Sequence, residues 1–149
     1  MFKSDNLRKH RNSNAMHYYV ITIVTYQRVS YFNDLVTNRK LIQELQKLDE
    51  ENATHTICFV IMPDHIHWQF QLLNKFNLAE TVKRFKGRTS TNFRNQNITQ
   101  KLWQNDYYEH KIRNEKDLIQ QARYIIANPL RANLVRSVSE YPYWDSIYL

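Results

Sequence analysis

The stretch "HTICFVIMPDHIHWQFQL", residues 55–72, constrains the fold more than any other part of the chain. Its first half is an almost unbroken apolar and β-branched run, as in a strand buried on both faces. Pro63 and Asp64 then mark a tight turn. From 65 to 72 the pattern becomes strict alternation: Ile66, Trp68, Phe70 and Leu72 point one way, and His65, His67, Gln69 and Gln71 the other. A chain carrying this hairpin builds an antiparallel sheet with one sealed face and another that is, at least here, polar.

The flanking segments supply the rest of the fold. "MHYYVITIVTY" (16–26) reads as a second doubly buried strand. "TNRKLIQELQKLDEEN" repeats Leu41, Ile42, Leu45 and Leu48 at helical spacing. Residues 77–95 read as a basic helix opened by Asn77 and weakened in its middle by Gly87, and "YYEHKI" (107–112) as a short strand. The last helix, "NEKDLIQQARYIIAN", has Asn114 as cap, Asp117 three residues on in imitation of a capping box, and Pro129 to limit its extension. The order β-α-β-β-α-β-α shows no repeat and no linker. It predicts an α+β, ferredoxin-like sandwich, an antiparallel sheet with helices on one face, as a single domain over 16–149 behind a basic tail over 1–15.

Lys and Arg outnumber Asp and Glu by 21 to 14, a formal charge of +7. That balance favours a polyanion partner, nucleic acid ahead of an acidic membrane surface. The single cysteine, Cys58, excludes an intramolecular disulfide and fits a reducing cytoplasm. The first fifteen residues lack the apolar core of a secretory signal, and no run is long enough to span a bilayer.

Side chains at i and i+2 of a strand lie on one face roughly 6.6 Å apart, within reach of one metal ion. His65 and His67 satisfy that spacing, although a polar strand face would look the same. The last helix adds partners. Its apolar stripe is Leu118, Ala122 and Ile125, supported by Ile119 and Ile126, whereas Tyr124 falls among Asp117, Gln121 and Asn128. Tyr124 and Asn128 are spaced i, i+4 and are neighbours on that face. If it covers the histidines, two imidazoles and an amide oxygen can hold a divalent cation, with positions open for water and a phosphate oxygen. The chemistry so assembled is metal-assisted phosphoryl transfer to a tyrosine.

These residues resemble a known family. "MPDHIHW" is similar to the HUH motif (His, hydrophobic, His) of single-tyrosine transposases. "FKGRTS", "WQNDYYEHKIRNEKDL" and "YIIANPLRANLV" follow in the order found in REP-associated tyrosine transposases, from about residue 16 to 145. The resemblance implies an HUH endonuclease domain that nicks single-stranded DNA near a foldback hairpin, with Mg²⁺ or Mn²⁺ as cofactor. By position it makes His65 and His67 metal ligands, Asn128 a third ligand, and Tyr124 the nucleophile of a 5′-phosphotyrosine link. A 3′ hydroxyl would leave, and a second 3′ end could rejoin the strand without ATP. The glycine usual before the last Leu-Val is Asn133 here. Single-tyrosine relatives include dimers with active sites assembled in trans, whereas the resemblance to the REP-associated branch implies action in cis as a monomer, so monomer and homodimer both stay open, and a bacterial cytoplasmic, nucleoid-associated setting follows.

Lys83, Arg84, Lys86 and Arg88 place four cations within six residues, a candidate phosphate-binding surface. Tyr107 and Tyr108 are rival nucleophiles whose place after Trp103 suits packing or base stacking instead. His17, His55 and His110 read as structural or surface residues. The competing function is a module of the same fold that holds hairpin nucleic acid without cutting it. A zinc deaminase is excluded because one cysteine cannot supply its Pro-Cys-x-x-Cys partner. A two-histidine phosphoesterase would need paired His-x-Thr/Ser strands, which "HTI" and "HIH" are not.

Overall fold

The computed structural model describes residues 16–146. The basic tail expected over 1–15 lies outside the described residues, as do 147–149. Strands β1 (Tyr18–Val24), β2 (Thr54–Met62), β3 (His65–Leu72), β4 (Tyr108–Lys111) and β5 (Trp144–Ser146) form one five-stranded sheet in the order β4-β1-β3-β2-β5, antiparallel at every junction. The helices are α1 (Leu35–Glu50), α2 (Leu78–Asn95), α3 (Glu115–Ile126) and the four-residue α4 (Asn128–Arg131). The α+β architecture is the expected one. Edge strand β5, three residues long, was too short to carry a readable alternation.

Local chemistry sets the helix starts. Asp34, Asn77 and Asn114 each accept a backbone N–H three residues on, from Thr37, Glu80 and Asp117. Gly87 does not interrupt α2. Between α3 and α4 only Ala127 intervenes, itself helical at φ −77° and ψ −3°. Pro129 falls in the first turn of α4, where a missing N–H costs nothing. The chain leaves α4 through Asn133 at φ 59°, with Leu134 N–H donating to the Pro129 carbonyl at 3.0 Å and Asn133 N–H to that of Leu130 at 3.1 Å. This is a Schellman cap, and asparagine tolerates the left-handed position that glycine usually takes.

The one-sided sandwich becomes two-sided. Helices α1 and α2 cover the face bearing Ile66, Trp68, Phe70 and Leu72 and form with it the larger core, which includes Phe32, Phe85, Phe93 and Trp103. Helix α3 covers part of the other face, where Ala122 and Ile125 pack with Val20, Cys58, Val60, Met62 and Tyr141. Gln69, expected on an open polar face, is therefore fully buried, and its amide donates to the Leu118 carbonyl of α3 at 3.0 Å. A bulge at Ile57 in β2 shifts the register between Thr56 and Cys58.

Candidate active site

Strand register places the histidines. Tyr108, Thr22, His67, Val60 and Trp144 form one row across all five strands, and directly paired residues share a face. That face is the one α3 partly covers. His67 Nδ1 lies 2.8 Å from Thr22 Oγ1, and His65 Nδ1 lies 2.7 Å from Asp64 Oδ1. The two rings stand 4.8 Å apart between centroids at 80°. Asp64 is itself fixed: Arg28 lies 3.3 Å from its carboxylate, and Thr25 donates its N–H and hydroxyl to the Asp64 carbonyl.

In the tautomer in which Nδ1 of each ring donates to its oxygen, both Nε2 atoms keep their lone pairs. Neither has a hydrogen-bond partner among the described residues. An oxygen acceptor on the far nitrogen fixes tautomer and ring orientation, which is how metal-ligating imidazoles are commonly supported. Burial above all, aided by the charges of His65 and Arg131, pushes His67 down to about 4, so that imidazole is neutral at pH 7. Burial would raise the Asp64 carboxyl, but its contacts with His65 and Arg28 outweigh that and hold it below the usual carboxylate range. The pair thus fits a divalent cation. No third His, Cys, Asp or Glu joins it among the described residues.

Helix α3 seats itself through its apolar stripe, with Ala122, Ile125 and Ile126 buried. Tyr124 stands out at 57% exposure. Its link to the histidines runs through Arg131, whose guanidinium lies 3.6 Å from the Tyr124 ring centroid and close enough to His67 for its charge to act there. Tyr124, Asn128 and Arg131 occupy i, i+4 and i+7 of a nearly continuous helical path, hence one face. Thr22, Asp64 and Arg131 were missed in the sequence reading: the first needs strand register to be noticed, the second reads as a turn residue, and the third needs helicity to persist across Pro129.

The rival tyrosines separate. Tyr107 packs against the larger core, whereas Tyr108 is 67% exposed on the histidine face. His110 donates to Asp117 at 2.9 Å and ties β4 to the start of α3. Of the four clustered cations, Lys86 donates to the carbonyls of Gln104, Asn105 and Asp106 at 2.8, 3.1 and 3.0 Å. Arg88 forks onto the carboxylate of Glu51. Arg84 lies 3.9 Å over the Phe76 ring, and Lys83 is exposed. Lys83 and Lys86, with Arg94 and Lys101, line a groove of about 620 Å³ between α2 and the segment before β4, without an acidic residue.

Comparison with known proteins agrees with this fold. The family described as "Transposase IS200 like" matches residues 13–128. A Haemophilus influenzae protein assigned as a REP-associated tyrosine transposase is 28% identical over 137 residues, 84% of this chain and 77% of the relative. The Escherichia coli K12 REP-associated tyrosine transposase is 30% identical over 100 residues, covering 65% of this chain and only 57% of that protein. Among solved structures, a REP-associated tyrosine transposase bound to a REP hairpin superposes with a TM-score of 0.74 at 20% identity, over 87% of this chain and 76% of that one. A protein assigned as a transposase in Deinococcus radiodurans gives 0.55 at 21% identity, over 72% and 87%. By its motif order, its fold and these matches, the chain belongs to the IS200-like transposase family, alongside the REP-associated tyrosine transposases.

Proposed function

We propose that this protein is a metal-dependent single-stranded DNA endonuclease and strand transferase acting next to REP-like hairpins, with residues 16–149 as its one catalytic domain. The observation that carries the reading is the pair of imidazoles held through Nδ1 with both Nε2 atoms unengaged, joined through Arg131 to an exposed tyrosine. His65, His67 and Asn128 would hold Mg²⁺ or Mn²⁺, which when bound supplies Lewis-acid polarisation of the scissile phosphate. Tyr124 Oη attacks phosphorus, its proton passes to solvent, the P–O3′ bond breaks, and the 3′ oxygen leaves as a hydroxyl. The 5′-phosphotyrosine so formed conserves the bond energy for a second 3′ hydroxyl to attack. The groove lined by Lys83 and Lys86, together with Arg84 and Arg88 of the same helix, is the surface we assign to the hairpin backbone.

Among the described residues no helix is long and apolar enough to cross a membrane. The relative solved with a REP hairpin supports hairpin DNA as partner. The Arg131 link supports attack in cis, with Tyr124 using the histidines of its own chain.

The test is a denaturing gel of the protein with hairpin-bearing single-stranded DNA and Mn²⁺, followed by mapping of the modified residue. A covalent adduct on Tyr124, absent in Tyr124→Phe and in His67→Ala, is expected. An adduct on Tyr108 would reassign the nucleophile. Hairpin binding without any adduct would favour the non-cutting module. Mixing Tyr124→Phe with His67→Ala chains should not restore cleavage, and restoration would establish action in trans.

A further inference from the structure

Arg131 differs from Arg28 and Arg113, which face Asp64 and Asp117, in what it lies against: the Tyr124 ring, with no acidic partner among the described residues. Its backbone is held firmly for so short a helix. Pro129 beneath it is buried, and the turn is closed by the Asn133 and Leu134 hydrogen bonds.

A guanidinium stacked on a ring uses its flat face there and leaves its in-plane N–H groups free. Those groups match two oxygens of one phosphate. The stacking also orients the fork before substrate arrives, so little reorganisation is needed during reaction. The phosphate attacked by Tyr124 Oη must approach the edge of this ring, over whose face the Arg131 guanidinium already lies. A cation at that point meets the negative charge that spreads over the non-bridging oxygens in the transition state of phosphoryl transfer.

We propose that Arg131 is a catalytic residue whose guanidinium, stacked on the Tyr124 ring, clamps the non-bridging oxygens of the phosphate that Tyr124 attacks. This rests on Tyr124 being the nucleophile. Arg131 neither gives nor takes the proton, since its side chain stays charged throughout. Its contribution is charge and alignment alone.

The experiment measures single-turnover adduct formation with Mn²⁺ for the wild type, Arg131→Ala and Arg131→Lys, on hairpin-bearing DNA with either an ordinary phosphate or a methylphosphonate at the cleaved linkage. Arg131→Ala should slow adduct formation by roughly 10²–10³, the usual loss when one charge-stabilising donor is removed, while hairpin affinity and melting temperature hold. Arg131→Lys should recover only part, because a point charge cannot fork. On the methylphosphonate, which removes the charge to be met, the gap between wild type and Arg131→Ala should collapse. A merely structural arginine would leave that gap unchanged, and this result overturns the proposal. So does an Arg131→Ala rate within about threefold of wild type on the ordinary phosphate. A wild-type protein that forms no adduct overturns the Tyr124 reading and the arginine role with it, whereas a normal wild type beside an unaffected Arg131→Ala removes the arginine alone.

Discussion

On the α1/α2 face of the sheet, Trp68 lies 4.1 Å from Phe70 and 5.7 Å from Phe85 between ring centroids, and Trp103 continues the cluster to Phe32 at 5.4 Å. On the α3 face the apolar contact is smaller, Ala122 and Ile125 against Val20, Cys58, Val60, Met62 and Tyr141, and polar contacts add direction to it: Gln69 to the Leu118 carbonyl and His110 to Asp117, with the Tyr141 hydroxyl on the Ile61 carbonyl beside them. Apolar bulk stabilises without fixing direction, since dispersion and burial reward contact from any angle. Hydrogen bonds reward one placement. The face that holds the fold together is therefore distinct from the face that holds Tyr124 and the histidines in register.

Truncating the aromatic cluster is the sharpest way to break this division. Trp68→Ala should destabilise by about 3–5 kcal/mol, the usual cost of emptying a large buried aromatic site. It also removes the indole N–H that the Thr56 hydroxyl accepts at 3.0 Å, leaving that hydroxyl only its bond to Asp49. Chemical denaturation checks the value. A loss under about 1 kcal/mol would mean that the larger core does not carry the stability claimed for it.

On the other face the same kind of truncation should touch chemistry before stability. Asp64→Ala removes the acceptor that orients His65 and should weaken Mn²⁺ binding by roughly 10–100-fold, as loss of such supporting partners typically does. Titration calorimetry with Mn²⁺ and a thermal melt separate the two effects. Unchanged Mn²⁺ affinity would argue that the pair is a polar face and not a metal site.

This division also explains what could be read from residues alone. Alternation over 65–72 gave the hairpin and put His65 and His67 on one face, because strand periodicity is a local property. The caps at Asn77 and Asn114 were legible for the same reason. Burial of Gln69 was not, because it depends on where α3 lands, a non-local outcome that its own side chain helps decide. Thr22 as the support of His67 requires the pairing of β1 with β3, and Arg131 over Tyr124 requires the helix to resume after Ala127. The pattern shows which side chains share a face, whereas only packing shows which of them touch.

Gln69→Leu sharpens the comparison further. It keeps the volume and deletes the amide that meets the Leu118 carbonyl, so a cost of about 1 kcal/mol, that of one buried hydrogen bond, is expected. If directional seating matters to the chemistry, adduct formation at a fixed, fully folded temperature should fall as well. A variant of wild-type rate and stability would show that α3 is positioned by its apolar stripe alone.

The smallest effect concerns the other end of α3. The Asp117 carboxylate accepts from the Arg113 backbone N–H at 3.0 Å and from His110 at 2.9 Å. The Arg113 N–H is the largest influence and, with His110, outweighs burial to hold this carboxyl below its usual range. A depressed carboxyl stabilises the folded state fully above its unfolded value near 3.9, and that stability disappears as pH falls through the lower folded value. Asp117→Asn keeps the shape but exchanges charge-assisted bonds for neutral ones, so it should cost about 1 kcal/mol at neutral pH. The gap between variant and wild type should hold from neutrality down to about pH 4 and then close, because the wild type loses there what the variant never had. Denaturation midpoints measured across that range decide it. A gap that persists well below pH 4 would mean that shape, and not charge, ties β4 to the helix carrying Tyr124.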